Sequence, residues 1–196
     1  MNIKALLKAN FPYTALFCEE NIWQLINSLS QHHGINMNTL WCLFISNPAK
    51  KTLLLNQQIA AKNQPTIWDY HVVLLAQFQQ QWLIFDFDTR LGFITPLAHY
   101  LSQTFALSNE LPQEFIPYIK KIPAQVYWQS FYSDRSHMLG QIKESDYPTW
   151  PIINKQQTKP LLFTDLLDYS SNKKDTFALI KTDSLASTLQ ALHSSQ

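Results

Sequence analysis

The stretch Thr14-Ala15-Leu16-Phe17-Cys18-Glu19-Glu20-Asn21-Ile22-Trp23-Gln24-Leu25-Ile26 sets the frame for the chain, because it puts one thiol at the first turn of an amphipathic helix. Beyond Cys18 the apolar residues Ile22, Leu25, Ile26 and Leu29 recur at helical spacing and define one buried stripe. Cys18 stands one turn before Ile22 and therefore lies on that stripe, facing whatever packs against the helix. The helix is expected to run from Thr14 or Leu16 to about Ser30, and Gly34 can take the left-handed position that closes it. Unpaired amides and the dipole at a helix start favour a thiolate, the nucleophilic form of cysteine. Glu19 and Glu20 suit the same dipole but repel a neighbouring thiolate, so position alone leaves the acidity of Cys18 open. A lone Cys at the edge of an apolar stripe is also what inert packing looks like.

A nucleophilic Cys needs a base to take its proton, and the base needs a group that fixes its tautomer. The segments that can supply both are Ile67-Trp68-Asp69-Tyr70-His71-Val72-Val73-Leu74-Leu75 and Trp82-Leu83-Ile84-Phe85-Asp86-Phe87-Asp88-Thr89. Both are rich in β-branched and aromatic residues, and the Gln-rich connection between them suits an antiparallel hairpin. Alternation puts Asp69, His71 and Val73 on one face of the first strand, and Ile84, Asp86 and Asp88 on one face of the second. A turn centred between Phe78 and Gln79 sets His71 opposite Asp86, and a turn one residue later sets it opposite Asp88. Either register brings a carboxylate to the imidazole. The alternative is a satisfied strand histidine beside a solvated acid pair, but acids in an apolar pattern are costly without partners.

The remaining segments frame this pair. Residues 1–12 read as a short lead-in ended by Pro12. Leu40-Trp41-Cys42-Leu43-Phe44-Ile45 reads as a buried strand that gives Cys42 a structural role, with Ser46-Asn47-Pro48 as its stop and residues 51–58 as its hairpin return. Ala124-Gln125-Val126-Tyr127-Trp128 reads as a strand. It leads into the loop Phe131-Tyr132-Ser133-Asp134-Arg135-Ser136-His137-Met138, which Asp134 and Arg135 are expected to fix through backbone and neighbouring charges. His137 is read as structural rather than as a second base. Tyr147-Pro148-Thr149-Trp150-Pro151 is a stiff extended connector. A short helix is expected over 164–169, a last strand over 176–180, and a helix over 184–196.

With 46% hydrophobic and 13% aromatic residues in 196, the chain can bury a sizeable core, and one domain over 1–196 is expected. Fifteen basic residues against 14 acidic ones give no field for recruiting nucleic acid or an anionic membrane. Two cysteines without a CxxC pair or a clustered Cys/His set rule out a disulfide scaffold and offer no metal-ligand spacing. Free thiols fit a reducing compartment, so the cytoplasm is expected. No apolar run approaches the roughly 20 residues of a membrane span, and the start of the chain shows no small-residue cleavage site.

Taken together, Phe17-Cys18-Glu19-Glu20-Asn21-Ile22-Trp23, Phe44-Ile45-Ser46-Asn47, the His71 segment, Phe85-Asp86-Phe87-Asp88-Thr89 and Ser133-Asp134-Arg135-Ser136-His137-Met138 resemble the protein N-terminal glutamine amidohydrolase family. The resemblance runs in order from about Tyr13 to Met138 and more weakly through residues 161–190. It implies an α/β chain of the α+β type with a papain-like or transglutaminase-like fold, in which the helix carrying the nucleophilic Cys packs on a mainly antiparallel sheet carrying His and Asp. It also implies a thiol-dependent deamidation of an N-terminal Gln to Glu, with Cys18 as nucleophile, His71 as base and Asp86 as orienter. That alignment selects Asp86 where the hairpin left Asp86 and Asp88 open. Proteins or peptides with an N-terminal Gln are the expected partners, no cofactor or metal is implied, and a monomer is expected. Discrimination for a free amino terminus calls for an acid that pairs with the α-ammonium. Glu19, Trp68, Asp69 and Asp88 are the candidates for holding substrate.

Overall fold

A computed structural model describes residues 3, 6–107, 110–154 and 160–169, together with the backbone of 178–181. In chain order the regular elements are α1 (Cys18–His33), β1 (Leu40–Ser46), β2 (Thr52–Leu54), β3 (Thr66–Trp68), β4 (His71–Phe78), β5 (Gln81–Phe85), β6 (Ile94–Pro96) and α2 (Leu97–Thr104). They continue with β7 (Tyr118–Pro123), α3 (Ala124–Ser130), β8 (Phe131–Ser133), β9 (Ile153–Asn154), β10 (Leu161–Leu162), α4 (Phe163–Leu166) and β11 (Ala178–Lys181). The main sheet has the order β11-β7-β1-β4-β5-β6, and every neighbouring pair in it is antiparallel. The class is therefore α+β, as expected.

The alternation of β1 and β4 explains why both faces of the sheet are covered. Cys42, Phe44, Val72 and Leu74 face the α1 side and pack with Ile22, Leu25, Ile26 and Leu29. Leu43, Ile45, Val73 and Leu75 face the other way and pack with Leu97 and Tyr100 of α2. The central strands are apolar throughout because neither face meets water. Gly34 closes α1 in the left-handed conformation, φ 63°, and its amide bonds the Leu29 carbonyl.

Several expectations need correction. Helix α1 starts at Cys18 itself: residues 14–17 form a turn in which Leu16 has φ 68°, a backbone state that no helix contains. Residues 51–58 do not return on β1. Their strand β2 pairs instead with β3 in a separate two-stranded sheet, while β1 lies between β4 and β7. Residues 124–128 are helical, not extended, because Pro123 starts a helix whose Ala124 and Tyr127 share one buried face. The strand before it, β7, was hidden by its two lysines, one of which, Lys120, is buried with its ammonium on the carbonyls of Asp165 and Asp168. Helix α4 and strand β11 fall close to the expected short helix and last strand. The expected helix over 184–196 lies outside the described residues.

Candidate active site

The ladder between β4 and β5 runs from Leu74 opposite Phe85 to Phe78 opposite Gln81, which centres the turn between Gln79 and Gln80. Of the two registers open to the sequence this is the later one, and its continuation would place His71 opposite Asp88. The ladder stops at Phe85, however, and the Asp86 amide turns to the Phe93 carbonyl at 3.1 Å. His71 therefore reaches its diagonal neighbour: Nε2 lies 3.0 Å from Asp86 Oδ1, with both residues 1% exposed. Asp86 is saturated. Oδ1 also accepts the Asp88 amide at 2.8 Å, and Oδ2 accepts the Tyr100 hydroxyl at 2.8 Å.

An ionised carboxylate only accepts, so the proton on Nε2 belongs to His71 and Nδ1 is left with its lone pair. Nδ1 is buried and has no hydrogen-bond partner among the described residues. Trp68 stacks on the imidazole at 5.7 Å with an interplanar angle of 17°, holding the ring in its plane. Burial works against a protonated imidazole, but the charge and hydrogen bond of Asp86 outweigh it, and the pKa of His71 lies above its ordinary 6.5. Burial likewise works against the Asp86 carboxylate. The charge and hydrogen bond of His71, with the Asp88 amide and Tyr100, outweigh it and hold Asp86 below its ordinary value.

Cys18 begins α1 and lines the same cavity as His71, a space of roughly 370 Å³ whose wall also includes Trp68, Asp69, Asp88 and His137. The turn before the thiol is held from within the helix. The Asn21 side chain accepts the Thr14 amide and donates to the Thr14 carbonyl, both at 2.8 Å, which keeps Leu16 in its left-handed state. Burial and then the Glu19 carboxylate push the Cys18 thiol well above its ordinary value, while the Val72 amide works the other way. The thiol form is placed to donate to Glu19 Oε2 at 3.7 Å. The helix start does not by itself make a thiolate here. Cys42 is buried inside β1 and is pushed up in the same direction by burial and by Glu19.

The substrate-binding candidates separate by position. Glu19 is fully buried and absent from the cavity wall, with Oε2 receiving the Tyr70 hydroxyl at 3.0 Å and Oε1 lying 3.5 Å from His137 Nε2. Asp69 is exposed at the rim and its Oδ1 accepts the amide of Tyr70. Asp88 is half-buried in the wall, where its Oδ1 accepts the Tyr13 hydroxyl at 2.6 Å.

Glu20, adjacent to Glu19, is buried for a different purpose. It receives Arg135 Nε and Nη2 at 2.9 and 2.8 Å, Ser133 Oγ at 2.9 Å and Trp150 Nε1 at 2.6 Å. Arg135 in turn donates to the carbonyls of Pro148, Trp150 and Pro151, so the expected loop-fixing role of that residue extends to the Pro-stiffened connector.

Three residues around the site were not foreseen: Tyr100, Tyr13 and Tyr70. Helix α2 had a readable signal in Leu97, Tyr100, Leu101 and Thr104, which recur at helical spacing. Tyr13 and Tyr70 had none beyond adjacency to the key segments. Sequence spacing also missed that His71, Asp86 and Asp88 each bring one metal-capable atom within 4.8 Å of the others. The hydrogen bonds from His71 and the Asp88 amide already occupy Asp86 Oδ1.

Residues 13–189 match the family described as N-terminal glutamine amidase. A protein N-terminal glutamine amidohydrolase of Danio rerio is 34% identical over 154 residues, covering 75% of this chain and 74% of its own. Those of Bos taurus and Homo sapiens are 35% and 34% identical over 151 residues, covering 75% of this chain and 72% and 73% of their own.

Proposed function

Because the chain belongs to the N-terminal glutamine amidase family, we propose that it deamidates the N-terminal Gln of proteins or peptides to Glu, releasing ammonia through a Cys18–His71–Asp86 triad. The observation that carries the triad is the asymmetry of the His71 ring. One nitrogen is tied to a saturated carboxylate, and the other is buried, without a partner among the described residues, in a residue that shares its cavity with the helix-start thiol. The Cys-bearing α1 packed on an antiparallel sheet that carries His71 supports the papain-like or transglutaminase-like architecture.

The chemistry follows from these groups. His71 Nδ1 takes the thiol proton as Cys18 Sγ attacks the Gln carboxamide carbon, and Asp86 stabilises the imidazolium that forms. The tetrahedral intermediate collapses when His71 returns the proton to the amide nitrogen, ammonia leaves, and a thioester to Cys18 remains. A water deprotonated by His71 attacks the thioester, the carbon–sulfur bond breaks, and the γ-carboxylate of Glu is released with the thiol restored. First-turn amides of α1 have no intrahelical acceptor, so the Cys18 amide can donate to each oxyanion, worth about 2.7–4 kcal/mol in comparable sites.

No metal, cofactor, nucleic acid or membrane enters this reading, and ammonia release is expected to be insensitive to EDTA. The working unit is taken as a single-domain monomer in a reducing compartment; no helix of the described residues is long and apolar enough to cross a membrane.

Mass spectrometry of peptides beginning with Gln, Asn or acetyl-Gln, together with an internal-Gln peptide and an added primary amine, tests the reading. Conversion of N-terminal Gln alone supports it. Asn is one methylene short, and a misplacement of about 1 Å at the reacting carbon costs on the order of 100-fold. Comparable rates on internal Gln, or incorporation of the amine, would make the protein a transglutaminase-like acyl transferase instead.

A further inference from the structure

The reading above requires a seat for the substrate's α-ammonium, and three acids that differ in what they can still bind lie in or next to the cavity wall. Glu19 is sealed: it is 0% exposed, does not line the cavity, and its oxygens face Tyr70, Cys18 and His137. Asp69 is solvated at the rim, where a charge pair contributes little against water and salt. Asp88 alone lines the cavity in a half-buried position beside His71 and Asp86.

Asp88 is also the acid whose charge is only partly answered among the described residues. Its Oδ1 accepts the Tyr13 hydroxyl, and its Oδ2 has no hydrogen bond among the described residues. No Lys or Arg of the described residues forms an ion pair with it. Lys8 is the cation of that region, but its ammonium donates to the Phe87 carbonyl at 2.5 Å and sits 3.9 Å over the Tyr13 ring. Burial and the neighbouring Asp86 charge hold Asp88 above its ordinary carboxylate value, although His71, Tyr13 and Lys8 partly compensate. A desolvated carboxylate in a cavity wall asks for a cation from outside the chain.

We propose that Asp88 Oδ2 is the acceptor for the α-ammonium of the N-terminal Gln, with Tyr13 fixing the other oxygen so that the free one faces the bound chain end. Asp88 is thus a specificity residue, distinct from Asp86: one reads the amine, the other serves the imidazole. The assignment rests on the N-terminal Gln reading of the cavity. It gives that reading its physical basis, since a blocked amine would leave the Asp88 carboxylate desolvated and unpaired.

The test is a cycle between residue and substrate. Wild-type enzyme and Asp88→Asn are each assayed for ammonia release on a Gln-initiated tripeptide and on the same tripeptide with hydrogen in place of the α-amino group. Removing one partner of such a charge pair raises KM for the amine-bearing peptide roughly 30- to 100-fold with kcat changed far less. On the desamino peptide the variant's loss shrinks to a few-fold. Asp88→Ser is carried alongside, so that the result is read on whichever variant keeps the wild-type thermal transition. Equal losses on both peptides, a fall confined to kcat, or a larger loss of amine discrimination in Asp69→Asn would each overturn the assignment. Absence of ammonia from the Gln tripeptide with wild-type enzyme would strike the proposed function itself, which keeps the two failures apart.

Discussion

Two buried acid–base pairs flank the start of α1, and they differ in how completely they are satisfied. In Glu20–Arg135 the carboxylate receives Arg135, Ser133 and Trp150, while the guanidinium goes on to three carbonyls of the connector. In His71–Asp86 the carboxylate is just as full, yet the imidazole keeps one buried nitrogen without a partner among the described residues. The first pair has nothing left to give, and its role is to hold the 131–138 loop and the 147–151 connector against the helix. The second is poised to accept a proton. Unspent hydrogen-bonding capacity at a buried group costs stability, so its presence points to use rather than to packing.

The comparison breaks first at the proposed nucleophile and base. Cys18→Ala and His71→Ala are each expected to lower ammonia release by roughly 10⁵–10⁶-fold, and the double variant to lose scarcely more, because triad members act as one unit. Both should keep a wild-type circular dichroism spectrum. Ammonia release at the wild-type rate from purified Cys18→Ala would remove the mechanism.

Asp86→Asn comes next, with an expected fall in kcat of roughly 10³–10⁴-fold, since an amide at that place can favour the wrong imidazole tautomer. Its pH profile sharpens the point. Productive His71 is neutral at Nδ1, and its pKa is raised, so the acid limb of wild-type kcat/KM should lie above 6.5. In Asp86→Asn the carboxylate that raised it is gone while burial remains, and the limb should move to lower pH. Asp88→Asn should instead act mainly on KM. A larger kcat loss from Asp88→Asn than from Asp86→Asn would transfer the orienter's role to the residue the ladder would have paired with His71.

The saturated pair gives the third prediction, and it is one of stability. Arg135→Met strands the buried Glu20 carboxylate and is expected to cost about 3–5 kcal/mol, while the molecules that remain folded turn over near the wild-type rate. Adding Glu20→Gln should restore part of the loss. Urea unfolding monitored beside kcat per folded enzyme separates the two quantities; a variant of full stability and low kcat would place Arg135 in the chemistry.

Much of this site was legible because its signals are local. The apolar stripe behind Cys18 and the alternation of the two hairpin strands each depend on near neighbours in sequence, and both located the catalytic candidates. What stayed hidden depends on long-range partners. No local pattern says that Asn21 will grip Thr14, that Tyr100 will reach across from α2 to Asp86, or that β2 will leave β1 for β3. The choice of Asp86 over Asp88 is instructive in physical terms. Strand parity gave both, the register favours Asp88, and the end of the ladder at Phe85 releases Asp86 to swing toward His71. In residues 124–128 the aromatic and apolar content suggests a strand, whereas Pro123 and the spacing of Ala124 and Tyr127 carry the helical signal.

The smallest effect is the pH dependence of stability, and here the two pairs should part in sign and not only in size. His71 has a folded pKa above its unfolded value of about 6.5, so the pair's contribution is fully present below 6.5 and is lost as pH rises through the folded pKa. Asp86, held below its ordinary 3.8, matters for linkage only as pH falls past that range and leaves the neutral window to His71. The difference in Tm between wild type and Asp86→Asn should therefore be greatest below pH 6.5 and shrink toward alkaline pH, each kcal/mol moving Tm by about 2–4 °C in a chain of this length. A guanidinium–carboxylate pair has no group that titrates in this window, so the difference between wild type and Arg135→Met should be large and flat over the same range. Calorimetric scans of the three proteins between pH 6 and 9 give the answer. A gap between wild type and Asp86→Asn that widened with pH would mean that His71 is neutral in the folded protein below 6.5, and the electrostatic basis for treating Asp86 as its orienter would be lost.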